Sequence, residues 1–411
     1  MLEPFIVNRS QADYLVIQLF GGDNNLSHFV YQDLQEMAAG LRGNVVVLGL
    51  ADLADRPASV VEVTAERGIQ TLEDLGEIDT GDPEVLAHFV SRALITYPGA
   101  KKALGFWDHG TGVFDETDAS EKLLTRSIHS VSRSERTRSY PARRLFFPKA
   151  ALEFDEVTRG MLHDDTNGGV LTNLEAARMI DVSLQRANSH NKFDLIFSDT
   201  CLNGMIEVLD ELSPYADCIV GSPELEPGDG WNYEGWMRMV GENPPADGEA
   251  WGHYAVEAFR VNYERFPKKH PCTLAAFRTE NQISDAFRAL LDTARADNSG
   301  FDAFFFVDHA RSKAQAYARR DTYDLVDFAR KLVKISETDK PALARAAQDL
   351  IAACDAAKVH WCRLGPTVQE SFGLAFWFPS SRSMMRRDIG TYERLTFAKR
   401  TGWADYLGQF R

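Results

Sequence analysis

The chain has 411 residues, 44% of them hydrophobic, enough apolar material for one large domain or two ordinary ones. Its 45 basic and 60 acidic residues give a net charge of −15, which argues against a general binder of nucleic acid or anionic membrane and suits a basic substrate or partner. The five cysteines form no CxxC pair, Glu3 stands where an export signal would be basic, and no run of eighteen apolar residues occurs, so the expectation is a reduced, cytoplasmic protein without a disulfide framework, zinc knuckle, leader or membrane span.

Taken in chain order, YLVIQLF (14–20) reads as a buried strand and LSHFVYQDLQEMAAGL (26–41) as a helix with apolar residues three and four apart. The turn between them, FGGDNNLS (20–27), sits where a phosphate loop would, but it lacks both GxGxxG and GxxxxGK(S/T). Asn24 or Asn25 as a helix cap is the better account, and a nucleotide-handling enzyme stays a weaker alternative. NVVVLGL (44–50), KALGFW (102–107), FDLIFSD (193–199) and ADCIVGS (216–222) read as further buried strands. PEVLAHFVSRALITY (83–97) and NLEAARMIDVSLQRAN (173–188) read as helices between them. Strand–helix–strand repetition predicts an α/β sandwich with a mostly parallel central sheet and helices on both faces. Active sites in such sheets lie outside the carboxyl ends of the strands. Helical stretches at about 246–264, 279–297, 321–336 and 340–357, then the strand-like FGLAFWF (372–378), predict a mainly helical region. The expected organisation is a domain over 1–245 with a C-terminal part, 246–411, packed on its core.

One stretch breaks the composition. Residues 122–149 hold eight Lys or Arg and a single Glu inside an acidic chain, with little periodicity. Three readings stay open: a solvated insertion, a cleavage-prone activation loop, and a nucleic-acid patch as the weakest.

Two predicted strand ends carry reactive side chains, GFWDHGTG (105–112) and SDTC (198–201). If these strands are parallel neighbours, His109 and Cys201 meet at one edge of the sheet. A thiol beside an imidazole, at the start of a helix expected over 203–212, would have a lowered pKa and act as a thiolate nucleophile. The amides of Gly110, which has no Cβ, and of Cys201 would form an oxyanion hole. Asp199, two positions before Cys201, points to the same side of its strand. SPELEPGDGWNY (222–233) adds Asp229 and Trp231, and paired carboxylates in a partly desolvated pocket would receive an Arg or Lys side chain. Read one at a time, each of these residues also fits a plain structural part: a buried core cysteine, a turn histidine, a turn aspartate.

Together, GGDNNL, DLQEM, GDPEVLAHF, GFWDHGTG, FDLIFSDTCLNGMIEVLDEL and ELEPGDGWNY, followed by DTYDLVDFARKL, AFWFPSS and YERLTFAKRTGWADYL, resemble the clostripain family of cysteine peptidases, in the clan of caspases, gingipains and separase. The resemblance implies a caspase-like fold and an endopeptidase with His109 as general base and acid and Cys201 as nucleophile. It further implies that Asp199 and Asp229 select Arg or Lys before the scissile bond of a protein or peptide substrate. Cleavage between the two catalytic strands, by the enzyme itself or by an upstream protease, is implied too, which makes Arg126, Arg133, Arg136, Arg138, Arg143, Arg144 and Lys149 candidate processing sites. No cofactor is expected; calcium enters by resemblance alone, since no DxDxDG-type ligand run is present. Asn203 stands where the family usually has Met, and the 92 positions from His109 to Cys201 exceed the expected spacing because of the basic insertion. The rival from another class is a catalytically silent scaffold whose acidic groove binds a basic segment of a partner.

Overall fold

Runs of apolar aliphatic and aromatic residues form the strands at the centre of the molecule, because a strand buried on both faces tolerates few polar side chains. The computed structural model describes residues 2–113, 160–265, 267–268, 270–297, 301–319 and 321–410. In chain order the strands are β1 (Tyr14–Gly22), β2 (Val45–Leu53), β3 (Arg56–Thr64), β4 (Gly68–Gly76), β5 (Lys101–Trp107), β6 (Leu162–His163) and β7 (Val170–Leu171). They continue as β8 (Phe193–Asp199), β9 (Ala216–Gly221), β10 (Cys272–Arg278), β11 (Thr322–Asp324), β12 (Lys358–Leu364) and β13 (Ala375–Trp377). One nine-stranded sheet runs β12-β10-β9-β8-β5-β1-β2-β3-β4. Its middle, from β9 to β2, is parallel, and an antiparallel pair flanks each side.

Alternation along β1 shows how the layers form. Leu15, Ile17 and Leu19 point into one core with Leu104, Phe106 and Ile196, and with Leu86, Val90 and Ile180 of the helices over them. Val16 and Phe20 point into the other core with Trp107, Phe197, Trp231 and Trp236. Helices cover both faces, giving three layers. Helix starts follow local chemistry: Asp82 accepts from the Glu84 amide ahead of Pro83, and Thr172 and Glu175 close a capping box.

Each strand and helix expected up to residue 222 is found within a few residues of its predicted bounds. The hairpin β3–β4 was not expected, because Pro57, Ser59 and Glu62 break up the apolar residues of β3, and those of β4, Ile69, Leu72 and Leu75, stand three apart. The C-terminal expectation needs a correction. Residues 246–411 are rich in helix, yet they also supply β10 and β12 to the central sheet, so this region completes the sheet as well as covering it. The run 372–378 becomes the short β13, paired with β11 in a separate two-stranded sheet. From there it reaches the turn that follows Cys201: the Ala375 amide donates to the Gly204 carbonyl at 2.8 Å.

Candidate active site

β5 and β8 are direct parallel neighbours, and Trp107 pairs with Asp199 in register. His109 and Cys201 each follow two positions later, so the sheet delivers both to one carboxyl edge. Gly110 lies against the turn that carries Cys201: a Cβ at Gly110 would fall 2.2 Å from the Cys201 carbonyl oxygen. Leu202, just past the cysteine, has φ +66°, a left-handed conformation uncommon outside glycine, and its amide is fixed by the Glu224 carbonyl at 3.2 Å. The Asn203 side chain donates to Thr200 Oγ1 and closes the turn, a polar task that Met could not perform. The predicted helix start is corrected: the helix runs over Ile206–Leu212, so its N-terminus does not abut Cys201.

Asp108 organises the histidine side. Fully buried, it accepts from Asn24 Nδ2 at 2.8 Å, from the His109 amide and from the His163 amide. The His109 ring is held by Asn25: Nε2 donates to Asn25 Oδ1 at 2.8 Å, which leaves the lone pair on Nδ1. Burial, and then the neighbouring His163, push His109 down to about 3, so the ring is neutral. Cys201 is 6% exposed, and its Sγ accepts from the Glu226 amide at 3.3 Å. Among the described residues no hydrogen bond joins His109 to Cys201. The expected lowering of the thiol pKa is reversed here. Burial, and then the neighbouring carboxyl groups of Glu226, Glu224 and Asp199, push the thiol up, and no imidazolium is present to oppose them.

The acidic side of the site is richer than predicted. Asp199 accepts from Tyr233 Oη at 2.8 Å and faces Glu226, which accepts from Trp231 Nε1 at 2.9 Å. Burial raises both carboxyls, and Asp199 beside it raises Glu226 further. Asp33 accepts from Trp107 Nε1 at 2.7 Å and is raised by burial first, then by the charges of Asp199, Glu36 and Asp229. Asp229 is half-buried in the Pro227–Gly230 turn, whose Gly230 carbonyl accepts from Tyr263 Oη at 2.6 Å. Trp231 packs on Phe197 with ring centres 5.5 Å apart. The structure thus gathers Asp199, Asp229 and Trp231 and adds Asp33, Glu226 and Tyr233. Glu226 stood in the quoted ELEPGDG segment, whereas Asp33 comes from the helix Ser27–Gly40 and carries no local signal. The predicted processing residues Arg126, Arg133, Arg136, Arg138, Arg143, Arg144 and Lys149 lie outside the described residues.

A second acidic group sits beside the histidine side: Asp23, Asp52 and Asp164 are buried, with carboxylate oxygens within 4.8 Å of one another. Burial, then Asp164 and Asp23, raise Asp52 to about 8. An all-oxygen set of this kind fits a hard divalent cation better than zinc or copper.

Comparison with known proteins gives this arrangement a context. None of the curated proteins matches the chain. Among solved structures, the fold is similar to a secreted C11 cysteine protease from Bacteroides thetaiotaomicron in complex with an irreversible peptide inhibitor, at TM-score 0.67 and 14% identity over 95% of this chain and 99% of that one. It is also similar to an inactive zymogen C11 protease from Parabacteroides distasonis, at TM-score 0.65 and 18% identity over 96% of this chain and 99% of that one. The sequence pattern of the Clostripain family matches residues 19–127 and 149–409, most of the chain. With that coverage on a caspase-like sheet, the chain belongs to the clostripain family of cysteine peptidases.

Proposed function

We propose that the chain is a cysteine endopeptidase that cleaves after Arg or Lys through a dyad of His109 and Cys201. The observation that carries the reading is the shared rung: both residues stand two positions beyond the paired Trp107 and Asp199. In the reacting form the Cys201 thiolate attacks the carbonyl carbon after the basic residue, and the oxyanion rests on the amides of Gly110 and Cys201. Those amides support the role, since neither donates to another described residue. His109 takes the thiol proton and returns it to the leaving amine, and water then releases the acyl group. Asp199 and Asp229, with Trp231 as a wall, receive the substrate's cation.

The buried, protonated thiol and the neutral imidazole support a restrained state, in which cutting within 122–149 frees the cleft. The same raised thiol also favours the rival, a silent scaffold that binds a basic partner segment in the acidic cleft. A thiol-reactive probe bearing an Arg or Lys side chain separates them, since only the peptidase labels, and at Cys201 alone. In a peptide-library assay Cys201→Ala and His109→Ala each lose about 10³-fold or more of kcat/KM with the fold intact. Near-normal turnover in either variant removes the dyad. Asp199→Ala or Asp229→Ala weakens cleavage after Arg about tenfold to a hundredfold while small-reagent reactivity at Cys201 changes little. A double variant that still prefers Arg places the pocket elsewhere.

A further inference from the structure

We infer that Glu224 is a positioning residue for Cys201, tying the turn that carries the thiol to residues 315–319 of the chain's last third. Three contacts lace 201–204 to 222–226, the two segments running antiparallel. The Gly204 amide donates to the Ser222 carbonyl at 2.7 Å, the Leu202 amide to the Glu224 carbonyl at 3.2 Å, and the Glu226 amide to Cys201 Sγ at 3.3 Å. Glu224 sits in the middle of that lacing and meets the strained residue: Leu202 has φ +66°, a conformation a leucine keeps only where its surroundings hold it. Ser222 Oγ donates to the Glu224 carbonyl at 2.8 Å and accepts from the Glu224 amide at 3.2 Å, which fixes the backbone of Glu224 from the near side.

The side chain anchors the far side. Its Oε1 accepts from the Leu225 amide at 2.8 Å, and the Ala318 amide donates to Oε1 at 3.3 Å and to Oε2 at 3.1 Å. The segment around Ala318 is itself braced. Tyr317 Oη donates to Asp324 Oδ2 at 2.7 Å, and the Gln315 amide donates to Asp327 Oδ2 at 2.7 Å. Those two aspartates stand at the end of β11 and in the helix Leu325–Ser336, so Glu224 couples the Cys201 turn to a part of the molecule far along the chain. Reach and charge then act separately on the thiol. Reach sets where Sγ and the Cys201 amide stand, whereas the carboxyl, like those of Glu226 and Asp199, disfavours the thiolate. Burial raises Glu224 to about 7, so it is ionised at the alkaline pH where a raised thiol titrates.

Three substitutions in the full-length protein pull the two effects apart. Glu224→Asp keeps the charge but is one methylene too short for Ala318. Glu224→Gln keeps the reach without the charge, because its oxygen can replace Oε1, which serves both amides. Glu224→Ala loses both. The effect on turnover rests on the nucleophile role proposed for Cys201, whereas the tie itself does not. Hydrogen exchange read in peptides spanning 200–205 should therefore speed up at least about tenfold in the Asp and Ala variants and stay within about twofold of the parent in Gln. On an Arg peptide, kcat should fall about tenfold or more in Asp and Ala with KM within about threefold, and Gln should restore it. Alkylation of Cys201 by iodoacetamide sorts the variants the other way: its pH profile moves to lower pH in Gln and Ala but not in Asp. Should the Ala variant not fold, Asp carries the same comparison with the parent. Parent-like exchange in Glu224→Asp, or exchange and kcat in Gln as poor as in Asp, overturns the tie. Turnover that survives Cys201→Ala removes the nucleophile instead, and an inactive Cys201→Ala beside a fully active Glu224→Asp removes the positioning role alone.

Discussion

A methyl group at Gly110 has no room: it would meet the Cys201 carbonyl at 2.2 Å, a backbone atom that yields only if the turn carrying Cys201 moves. Gly110→Ala is therefore expected to cost about 1–3 kcal/mol in urea unfolding, as an overpacked contact does. Its kcat/KM should fall by about 10²-fold or more, the penalty of a reacting group displaced by roughly an ångström. Wild-type turnover in that variant would show that the turn is not part of the reacting geometry. At this scale the sequence exposed what stands at strand ends: His109, Gly110, Cys201 and Asp199 are all legible from apolar runs that stop in polar residues. Asn25 and Asp33 were not, because each reaches the site from another element, whereas Glu226 and Tyr233 stood in the quoted segment 222–233 without a local feature to single them out. The thiol's raised pKa was unreadable for the same reason, since it depends on carboxylates that the sequence scatters from position 199 to 226.

Elements decide what a cut between β5 and β6 would do. β5 remains paired with β1 on one side and with β8 on the other, and Asp108 before the cut accepts from His163 after it. A chain nicked within 122–149 should migrate as one species on native gel filtration and separate into two only in denaturant. Fragments that part spontaneously would mean that the sheet does not hold the halves. Continuous apolar strands were the easiest elements to predict. The antiparallel flank was harder: the edge strand β12 reads KVHWCRL, with polar residues at partly exposed positions, and its neighbour β10 reads CTLAAFR, with small residues that carry little hydrophobic signal.

For the whole molecule, Glu207 links the helix Ile206–Leu212 to the chain's last third, accepting from the Trp377 amide at 2.9 Å and from Tyr392 Oη at 2.8 Å. With β10 and β12 in the sheet as well, a truncation to 1–245 should be insoluble or unfolded by circular dichroism, and a cooperative transition from that fragment would contradict the integration described. Burial raises Glu207 to about 7. The folded state favours its protonated form, so this contribution is fully present below the ordinary glutamate pKa and is lost as pH rises through about 7. Across that window the loss is about 3 kcal/mol. Glu207→Gln should therefore lose less stability than the parent between pH 5 and pH 8, by about that amount in urea midpoints converted to free energy. An unchanged pH slope would assign the dependence to other buried carboxyls such as Glu224 and Asp324, both also raised by burial.

The rung between Trp107 and Asp199 has a bearing on heredity. Because His109 and Cys201 are both measured from that rung, their 92-position separation along the chain has no part in setting their distance in space. Closing a flexible loop costs only about 0.6 kcal/mol more for each doubling of its length. Outside the described elements, the intervening chain is therefore free to lengthen, shorten or change composition from one lineage to the next, taking on new control without disturbing the chemistry. The freedom stops at those elements: β6, the helix Asn173–Arg186 and β8 are tied to the sheet, to its core and to Asp108, so a change of length inside them would move the rung itself. Within DHG and DTC, too, a single inserted codon would shift a reactive group off its rung, and descent should tolerate none.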